Sequence, residues 1–206
     1  MTETALPLGA DGRTLSGRGV RTRGRLLEAA EQIFADVGYH DASIVKLTEA
    51  AGVAQGTFYQ YFCSKKEVFE ELMRDLNRRV RRAMAEGAAA GESRAEQEQL
   101  GFQAFFRFTA EHRALYRIIR QAEFVSPETL HFHYEKLSEG YIEGLREAMA
   151  RGEIPVLDPE VLAWALMGIG ELIGMKWILW DGREELPADV FEQLKTVIQR
   201  VLGVPA

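Results

Sequence analysis

The sequence has one cysteine, no secretory leader pattern and no long uncharged apolar run, and each absence excludes a class of protein. A single cysteine, Cys63, cannot form a disulfide framework. The N-terminal stretch lacks the basic, apolar and small-residue order of a secretory signal. The main apolar stretch, residues 161–180, carries Glu171 and Lys176, which the core of a bilayer would tolerate poorly. We therefore expect a cytoplasmic protein in which this stretch is a buried helix.

Patterns that indicate catalysis or metal binding are also missing. His131 and His133 are two residues apart on a predicted helix, so their side chains diverge by roughly 200°. His40 and His112 are isolated in the sequence. The chain contains no phosphate-binding loop, dinucleotide fingerprint or serine-elbow motif. We expect no enzymatic activity, no metal and no cofactor.

The chain lacks an overall positive charge, which would argue against nucleic-acid binding if the charge were evenly distributed. Its formal net charge is −6 at pH 7. Residues 13–66, however, contain eight Lys and Arg against five Asp and Glu, so this segment carries +3 and the remainder −9. A basic segment on an acidic protein suits a molecule that contacts phosphates at one end only, although many enzymes show a similar asymmetry.

What the sequence does contain is a series of helical patterns bounded by serine, proline and glycine. Apolar side chains recur at helical spacing from Leu26 to Val37, and Gly38 supplies a left-handed stop. Ser43 and Ser64 are placed to cap the helices that follow them. No strand pattern competes, so we predict an all-α fold with nine helices. The first predicted segments are a disordered tail over 1–19 and helices over 22–37, 43–52, 55–62 and 65–86.

Two short helices joined at Gly52 have the pattern of a helix-turn-helix. A DNA-reading helix must present polar side chains while its apolar residues hold it to a supporting helix. Val53, Phe58 and Phe62 are spaced to face inward. The side chains left pointing outward are polar: Gln55, Thr57, Tyr59 and Gln60. Glutamine can pair with adenine, threonine can touch a thymine methyl group or a phosphate, and tyrosine hydroxyls contact phosphate.

Four motifs follow one another in a specific order between residues 22 and 70. They are Gly38-Tyr39, Ala51-Gly52-Val53, Gly56-Thr57-Phe58-Tyr59-Gln60-Tyr61-Phe62 and Ser64-Lys65-Lys66-Glu67. Together they resemble the TetR family of transcriptional regulators, which the rest of the chain matches in helical layout and length. The resemblance implies a nine-helix homodimer. It also implies a three-helix DNA-binding domain at 20–66 and a helical effector-binding and dimerisation domain at 67–206.

The resemblance also implies which residues contact DNA. Family members commonly contact DNA at the positions of Ser43, Thr57, Tyr59, Tyr61 and Lys65. The full predicted DNA-binding set is Arg25, Ser43, Gln55, Gly56, Thr57, Tyr59, Gln60, Tyr61 and Lys65. Two positions depart from the family pattern. Ala54 replaces the serine or threonine that often caps the recognition helix, and Thr48 occupies a position that is usually alanine.

Several of these positions leave an alternative open. Tyr61 could be half-buried support, Ser43 could serve only as a cap, and Arg23 or Arg25 could be solvated. Three arginines lie in the predicted tail or directly after it: Arg13, Arg18 and Arg21. They could reach a minor groove, and a solvated tail is the alternative.

The second half of the chain is rich in aromatic residues, which suggests a pocket for an apolar or ring-bearing effector. The predicted ligand-binding set is Phe105, Phe106, Tyr116, Phe124, Tyr134, Trp164, Met167 and Glu171. Core packing is the alternative for each aromatic residue. Glu171, alone in an apolar helix, could bind a polar group of the ligand or a neighbouring helix. Four arginines could bind the phosphates of a coenzyme A thioester or form a solvated face: Arg107, Arg113, Arg117 and Arg120.

A dimer interface is predicted along the last two helices. Gly170 and Gly174 lie one helical turn apart beside apolar residues, so a partner helix could approach closely there. A dimer would hold two recognition helices about 34 Å apart, as a palindromic operator requires. We expect a repressor that a hydrophobic small molecule, such as an acyl- or aryl-CoA, releases from that operator. The alternative is a DNA-binding or interaction protein of the same fold without a small-molecule effector.

Overall fold

The computed structural model describes residues 7–204, and secondary structure in this range is helical. Residues 7–204 contain nine α-helices and no β-strand, which confirms the predicted all-α class. The helices are α1 (Gly17–Asp41), α2 (Ile44–Ala51), α3 (Gln55–Phe58), α4 (Lys65–Ala88), α5 (Arg94–Glu111), α6 (Ala114–Val125), α7 (Pro127–Ala150), α8 (Pro159–Gly174) and α9 (Ala188–Val201). A π-helical segment, Met175–Trp180, directly follows α8.

The chain divides into two compact units. The head unit contains residues 7–75 together with Arg117–Leu130, and the body unit contains Leu76–Tyr116 together with residues 131–204. The head unit is therefore larger than the segment 20–66 that the sequence suggests as a DNA-binding domain. It adds the beginning of α4, most of α6 and the start of α7.

The segment Arg117–Leu130 joins the head unit through polar contacts with the end of α1. The guanidinium of Arg117 donates to the backbone oxygen of Asp36 at 3.1 Å, and the side-chain oxygen of Gln121 accepts from the Tyr39 N–H at 2.7 Å. These partners are 81 and 82 residues apart in the chain. Local sequence patterns carry no information about contacts between residues so far apart, so this part of the unit was not predicted.

The first helix begins earlier than its apolar spacing indicates. It starts at Gly17 because the Ser16 hydroxyl accepts a hydrogen bond from the Gly19 N–H at 3.3 Å and so caps the helix. Gly38, with φ at 77°, interrupts α1 near its end, where a stop was predicted. The prediction of a disordered tail is wrong for residues 7–19, because backbone hydrogen bonds fold 7–15 and α1 begins at residue 17. Residues 1–6 lie outside the described range.

Aromatic side chains make up much of the core of the head unit. Phe34, Phe58, Phe62 and Phe69 are all fully buried. The Phe34 and Phe69 rings pack edge to face with their centroids 5.7 Å apart. Each such burial contributes about 1.5–3 kcal/mol relative to an exposed side chain. The two phenylalanines of the recognition motif therefore anchor it firmly to the rest of the unit.

The core of the body unit is formed by α5, the start of α6, the second half of α7, one face of α8, the π-helical segment and α9. Gly170 and Gly174 are on this inner face. A methyl group at position 170 would lie 3.0 Å from the Phe102 ring, and one at position 174 would overlap the Tyr116 hydroxyl. The glycines thus allow close packing within one chain. The prediction that they face a partner helix is wrong, because periodicity identifies a face without identifying what covers it.

The opposite face of α8 is apolar and exposed. Val161, Trp164 and Leu172 are 68%, 45% and 62% exposed, and their spacing of three to eight residues places them on one side of the helix together with Gly168. By length and hydropathy, Pro159–Trp180 would also suffice to cross a membrane. The stretch that the sequence suggests as a buried helix is therefore buried on one side only.

Candidate functional site

The framework of the helix-turn-helix follows from local chemistry at its two ends. The Ser43 hydroxyl accepts from the Lys46 N–H at 3.2 Å and caps α2, which confirms the predicted cap. Gly52 ends α2 in the left-handed region, with φ at 61°. Thr48, the unusual residue of this helix, is buried and donates to the backbone oxygens of Ile44 and Val45. Its hydroxyl is satisfied within α2, so the departure from the family pattern does not disturb the packing.

The recognition segment combines buried anchors with exposed polar groups. Phe58 and Phe62 are fully buried, whereas the neighbouring Tyr59 is 50% exposed. Regular α-helix covers only Gln55–Phe58, and hydrogen-bonded turns continue to residue 62, where a full helix was expected. Ala54 provides no side-chain cap, so amides at the start of α3 remain available to water or a phosphate.

The predicted DNA-binding residues of this segment differ in accessibility. The exposed ones are Gln55, Gly56, Tyr59 and Gln60. Thr57 and Tyr61 are partly buried, so the alternative of half-buried support for Tyr61 fits its position. Since the outward side of the segment is polar and its inward side aromatic, the segment can present hydrogen-bonding groups to a major groove without losing its anchorage.

Two predicted DNA contacts, Arg25 and Lys65, hold the head together. The guanidinium of Arg25 donates to the backbone oxygens of Ala51 and Gly52, which ties α1 to the turn. The ammonium of Lys65 donates to the backbone oxygen of Tyr39 at 2.6 Å and lies over the Tyr39 ring. Burial lowers the pKa of Lys65 from its ordinary value. A DNA contact by either residue stays a prediction, and both have structural partners that the sequence did not reveal.

Arg23 is not solvated, contrary to the alternative left open for it. Its side chain is 14% exposed and pairs with Glu71 at 3.3 Å, and the guanidinium lies 4.9 Å from the centre of the Phe62 ring. The contact with Phe62 places Arg23 beneath the recognition segment. This residue supports the segment from the inside and is not available at the outer surface.

Most of the predicted ligand-binding residues pack in two groups within the body unit. Phe105, Phe106 and Tyr116 belong to the aromatic core or pack against it. The Tyr134 hydroxyl donates to both carboxylate oxygens of Glu171, at 2.8 and 2.9 Å. Of the two roles considered for Glu171, contact with a neighbouring helix is the one observed here. The Tyr134 ring also lies 5.9 Å from that of Trp164 on α8, where Met167 is half-buried.

The remaining residues predicted for the effector site are divided between the two units. Phe124 belongs to the head unit and is 82% exposed. The four arginines proposed for coenzyme A phosphates are divided between the units, with Arg107 and Arg113 in the body and Arg117 and Arg120 in the head. Arg113 and Arg117 donate to backbone oxygens. A contact of these four arginines with a coenzyme A group stays a prediction.

The body unit instead has a pocket that the sequence did not suggest, between α4, α5 and α7. Its volume is about 300 Å³. Its apolar lining includes Met84, Ala88, Leu137 and Tyr141, and its basic lining consists of Arg81, Arg94 and Lys136. The predicted ligand-binding residues lie outside this lining, and their role in binding an effector stays a prediction. The sequence signal that points to this pocket is the i, i+4 pair of Arg94 and Glu98, since its partners share a helix face.

A buried ion pair forms one side of this pocket. Glu98 is 4% exposed, and its carboxylate accepts a hydrogen bond from the Arg94 guanidinium. Burial raises the pKa of Glu98, and the charge of Arg94 opposes that rise. The Nε atom of Arg94 is buried without a hydrogen-bond partner. The pocket thus offers an apolar interior and a guanidinium with unused donor capacity.

A second buried polar network links α4 to α7 within the body unit. The Asn77 amide donates to Nδ1 and to the backbone oxygen of His133, both at 3.0 Å, and Arg81 donates to the Asn77 side-chain oxygen. Burial, with a smaller contribution from Arg81, lowers the pKa of His133 to about 4. His133 is therefore a neutral acceptor at neutral pH, and its role is structural.

Comparisons with known proteins agree with this architecture. The family model described as bacterial regulatory proteins, tetR family, matches residues 26–72. An uncharacterized HTH-type transcriptional regulator of Bacillus subtilis, YdgC, is 31% identical over 170 residues, which cover 80% of this chain and 85% of the relative. The fatty acid metabolism regulator protein of Bacillus subtilis is 29% identical over 80% of this chain and 87% of its own.

A solved structure extends the similarity to the whole fold. The transcriptional regulator FadR from Bacillus subtilis, in complex with stearoyl-CoA, aligns with a TM-score of 0.74. The alignment covers 88% of this chain and 98% of FadR at 21% identity. At that identity the likeness concerns the fold alone.

Proposed function

Because this chain belongs to the TetR family of bacterial regulatory proteins, we propose that it is a homodimeric repressor that a small hydrophobic ligand releases from a palindromic operator. The chain is a helix-turn-helix transcriptional regulator and not an enzyme. The chain acts on DNA, so its proposed location is the cytoplasm. Repression, the palindrome and the ligand are the proposed parts.

One observation carries the DNA-binding proposal: the exposed polar side of a segment whose other side is anchored by fully buried phenylalanines. Gln55 and Gln60 are the base readers in this proposal, since glutamine can make two hydrogen bonds to adenine. Tyr59 and the free amides after Ala54 contact phosphates, which orient the head without reading sequence. Ser43 caps α2 and can also reach the backbone of the duplex.

Dimerisation is proposed through the exposed apolar face of α8 and through α9. The face formed by Val161, Trp164, Gly168 and Leu172 would be costly to leave in water, and a second copy of the chain would cover it. Gly168 leaves room for close approach between helices. A two-fold axis would then repeat the recognition segment for the two half-sites of a palindrome.

The pocket between α4, α5 and α7 supports a ligand-responsive regulator. Its volume of about 300 Å³ lies at the lower end of typical small-molecule sites. Acyl-CoA thioesters are the first ligands to test, because one relative regulates fatty acid metabolism and one structural neighbour holds stearoyl-CoA. α4 contributes Met84 and Ala88 to the pocket and Lys65 to the head, so it is the proposed route by which ligand binding alters DNA affinity.

The alternative is a regulator of the same fold without an effector, which the packed aromatic core around Phe106 and Tyr116 favours. A selection of genomic fragments, followed by titration of the bound complex with acyl- and aryl-CoA, tests both. We expect a preferred site whose binding weakens steeply with salt and is lost on adding one ligand class. Failure to prefer any fragment over bulk DNA contradicts the repressor; a preferred site that no ligand affects supports the alternative.

Residue roles are tested on the same preferred site. Tyr59→Phe should weaken binding to all sequences similarly, because it removes a phosphate contact. Gln55→Ala and Gln60→Ala should change which sequences are preferred, by about 1–3 kcal/mol per lost base contact. An equal loss on every sequence for all three variants would contradict this division between readers and anchors.

A further inference from the structure

The N-terminal segment, residues 7–16, is folded against the end of the recognition segment. The Ala10 N–H donates to the backbone oxygen of Gln60 at 3.0 Å. The segment closes on itself through a bridge between Leu8 and Thr14 and through the Leu15 N–H, which donates to Pro7. It therefore forms a small folded arm that touches the same residue whose side chain is a proposed base reader.

Two glycines allow this arm to adopt its conformation. Gly12 has φ at 75°, which side chains other than glycine rarely adopt. A methyl group at Gly9 would lie 3.1 Å from the backbone oxygen of Gln60, so a larger residue would push the arm away from the recognition segment. Gly12 thus permits the turn within the arm, and Gly9 permits its close approach to the recognition segment.

A concave basic surface lies between the arm, α1 and the recognition segment. It has a volume of about 960 Å³. Its charged side chains are Arg13, Arg18, Arg21, Arg25 and Asp11. Four guanidinium groups against one carboxylate make it strongly positive in a chain whose net charge is −6. Thr57 and Gln60 line it as well, so it is continuous with the proposed DNA-reading surface.

The positions of the arginines fit a helix face turned toward a phosphate backbone. Arg18, Arg21 and Arg25 are three and four residues apart on α1, so they lie along one side of that helix. Arg25 is held by backbone oxygens, whereas Arg18 and Arg21 are exposed. An arm that reads a minor groove is extended and enters the groove. This arm is folded back on the protein, which favours contact with phosphates over contact with base edges.

We propose that the arm and the first two turns of α1 form a second DNA-contacting element, in which Arg18 and Arg21 hold the sugar-phosphate backbone beside the recognition segment. This inference rests on the proposed DNA-binding function. The element adds affinity without sequence preference, because phosphates are the same at every site. Its attachment to Gln60 also supports that residue in its position as a reader.

The test uses the full chain, a duplex carrying its preferred site and a random duplex of equal length. Arg18→Ala/Arg21→Ala should weaken binding to both duplexes at least about tenfold and reduce the salt slope by about two per bound head, and so by about four for the proposed dimer, since each lost phosphate contact removes nearly one released counterion. The matched control is Arg146→Ala/Arg151→Ala, which removes two exposed arginines from the body unit and should leave both measurements unchanged. Thermal unfolding verifies that all variants are folded.

Gly9→Val tests the attachment of the arm independently of charge. It should weaken binding to the preferred site more than to the random duplex, because displacing the arm disturbs Gln60. An unchanged salt slope in the double arginine variant would overturn the proposal, as would a loss confined to the preferred site, which would indicate base reading. If the unsubstituted chain binds neither duplex, the proposed function itself fails. Binding by that chain with no effect of the arginine variant overturns this inference alone.

Discussion

Buried aromatic residues have different surroundings in the head and body units. In the head, Phe58 and Phe62 are buried so that their neighbours Tyr59 and Gln60 can face solvent. In the body, buried aromatic rings share the interior with charged and polar groups such as Glu98. The head thus carries its proposed function on the outside of its aromatic core, whereas the proposed site of the body is an apolar pocket with a buried ion pair in its wall.

This difference decides how well each function can be inferred from the sequence. Polar residues that are exposed beside buried anchors, as Gln55, Tyr59 and Gln60 are, have little reason to exist unless they bind something. A buried phenylalanine packs equally well in a core or in the wall of a pocket, so its identity does not distinguish the two. Four experiments test this contrast between the head and the body.

The largest effect is expected at two adjacent residues of the head. Phe58→Ala should lower the free energy of unfolding by about 3–5 kcal/mol, because it leaves a cavity in the core. Tyr59→Ala should change it by less than about 1 kcal/mol, since half of this side chain is exposed, while weakening DNA binding. Denaturant unfolding and DNA titration measure the two quantities. Similar losses of stability in both variants would contradict the separation of a buried anchor, Phe58, from an exposed DNA contact, Tyr59.

A pH effect of comparable size is expected in the body. The pKa of His133 is lowered to about 4 in the folded chain, so this side chain binds a proton more readily in the unfolded chain. The resulting stability is present above pH 6.5 and is lost as the pH falls toward 4, by roughly 3 kcal/mol. Denaturant unfolding between pH 7.5 and 4 measures this loss. The variant His133→Asn should be less stable at neutral pH and should lose less on acidification. An identical pH profile would show that other groups dominate.

Two glycine substitutions should have effects of opposite sign in the two units. Gly174→Ala in the body should cost about 1–3 kcal/mol, because the added methyl group overlaps the Tyr116 hydroxyl. Gly24→Ala in the head meets nothing within 4 Å and should raise stability by about 0.5–1 kcal/mol through helix propensity. Thermal unfolding distinguishes them. A stabilising Gly174→Ala would show that the inner face of α8 is less tightly packed than described.

The smallest effect separates the ligand response from DNA binding. Ala88→Phe fills the pocket and should raise the ligand concentration needed for release from DNA at least about tenfold, or about 1.4 kcal/mol. The control is Ala89→Phe, an exposed neighbour outside the pocket lining, which should respond as the unsubstituted chain does. DNA affinity without ligand should be the same in all three. Equal ligand responses would place the effector elsewhere in the body unit.

Features of the head unit that are set by neighbouring residues were predicted correctly. The caps at Ser43 and Ser64, the turn at Gly52 and the absence of a cap at Ala54 all depend on groups within three or four positions in the chain. The apolar spacing likewise identified the buried Phe58. Each of these features is decided by local hydrogen bonding or by helical periodicity, and both are visible in the sequence.

Features set by distant residues were missed. The ion pair of Arg23 is not visible in the sequence, because its partner Glu71 is 48 positions away. The orientation of Gly170 and Gly174 depends on which helix covers them. The pocket beside Arg94 exists only because residues of α4, α5 and α7 meet there. Even the arm at 7–16, which has its own glycines, is recognisable only through its contact with Gln60.

The sequence by itself therefore determined the all-helical class, the caps and turn of the recognition motif, and the family to which the chain belongs. Tertiary structure alone decided which face of α8 is inside, where the body has a pocket, and that the N-terminal segment is an arm rather than a tail. The physical reason is the range of the interactions. Capping and periodicity act over one helical turn, whereas packing partners and cavities depend on chain segments brought together only by folding.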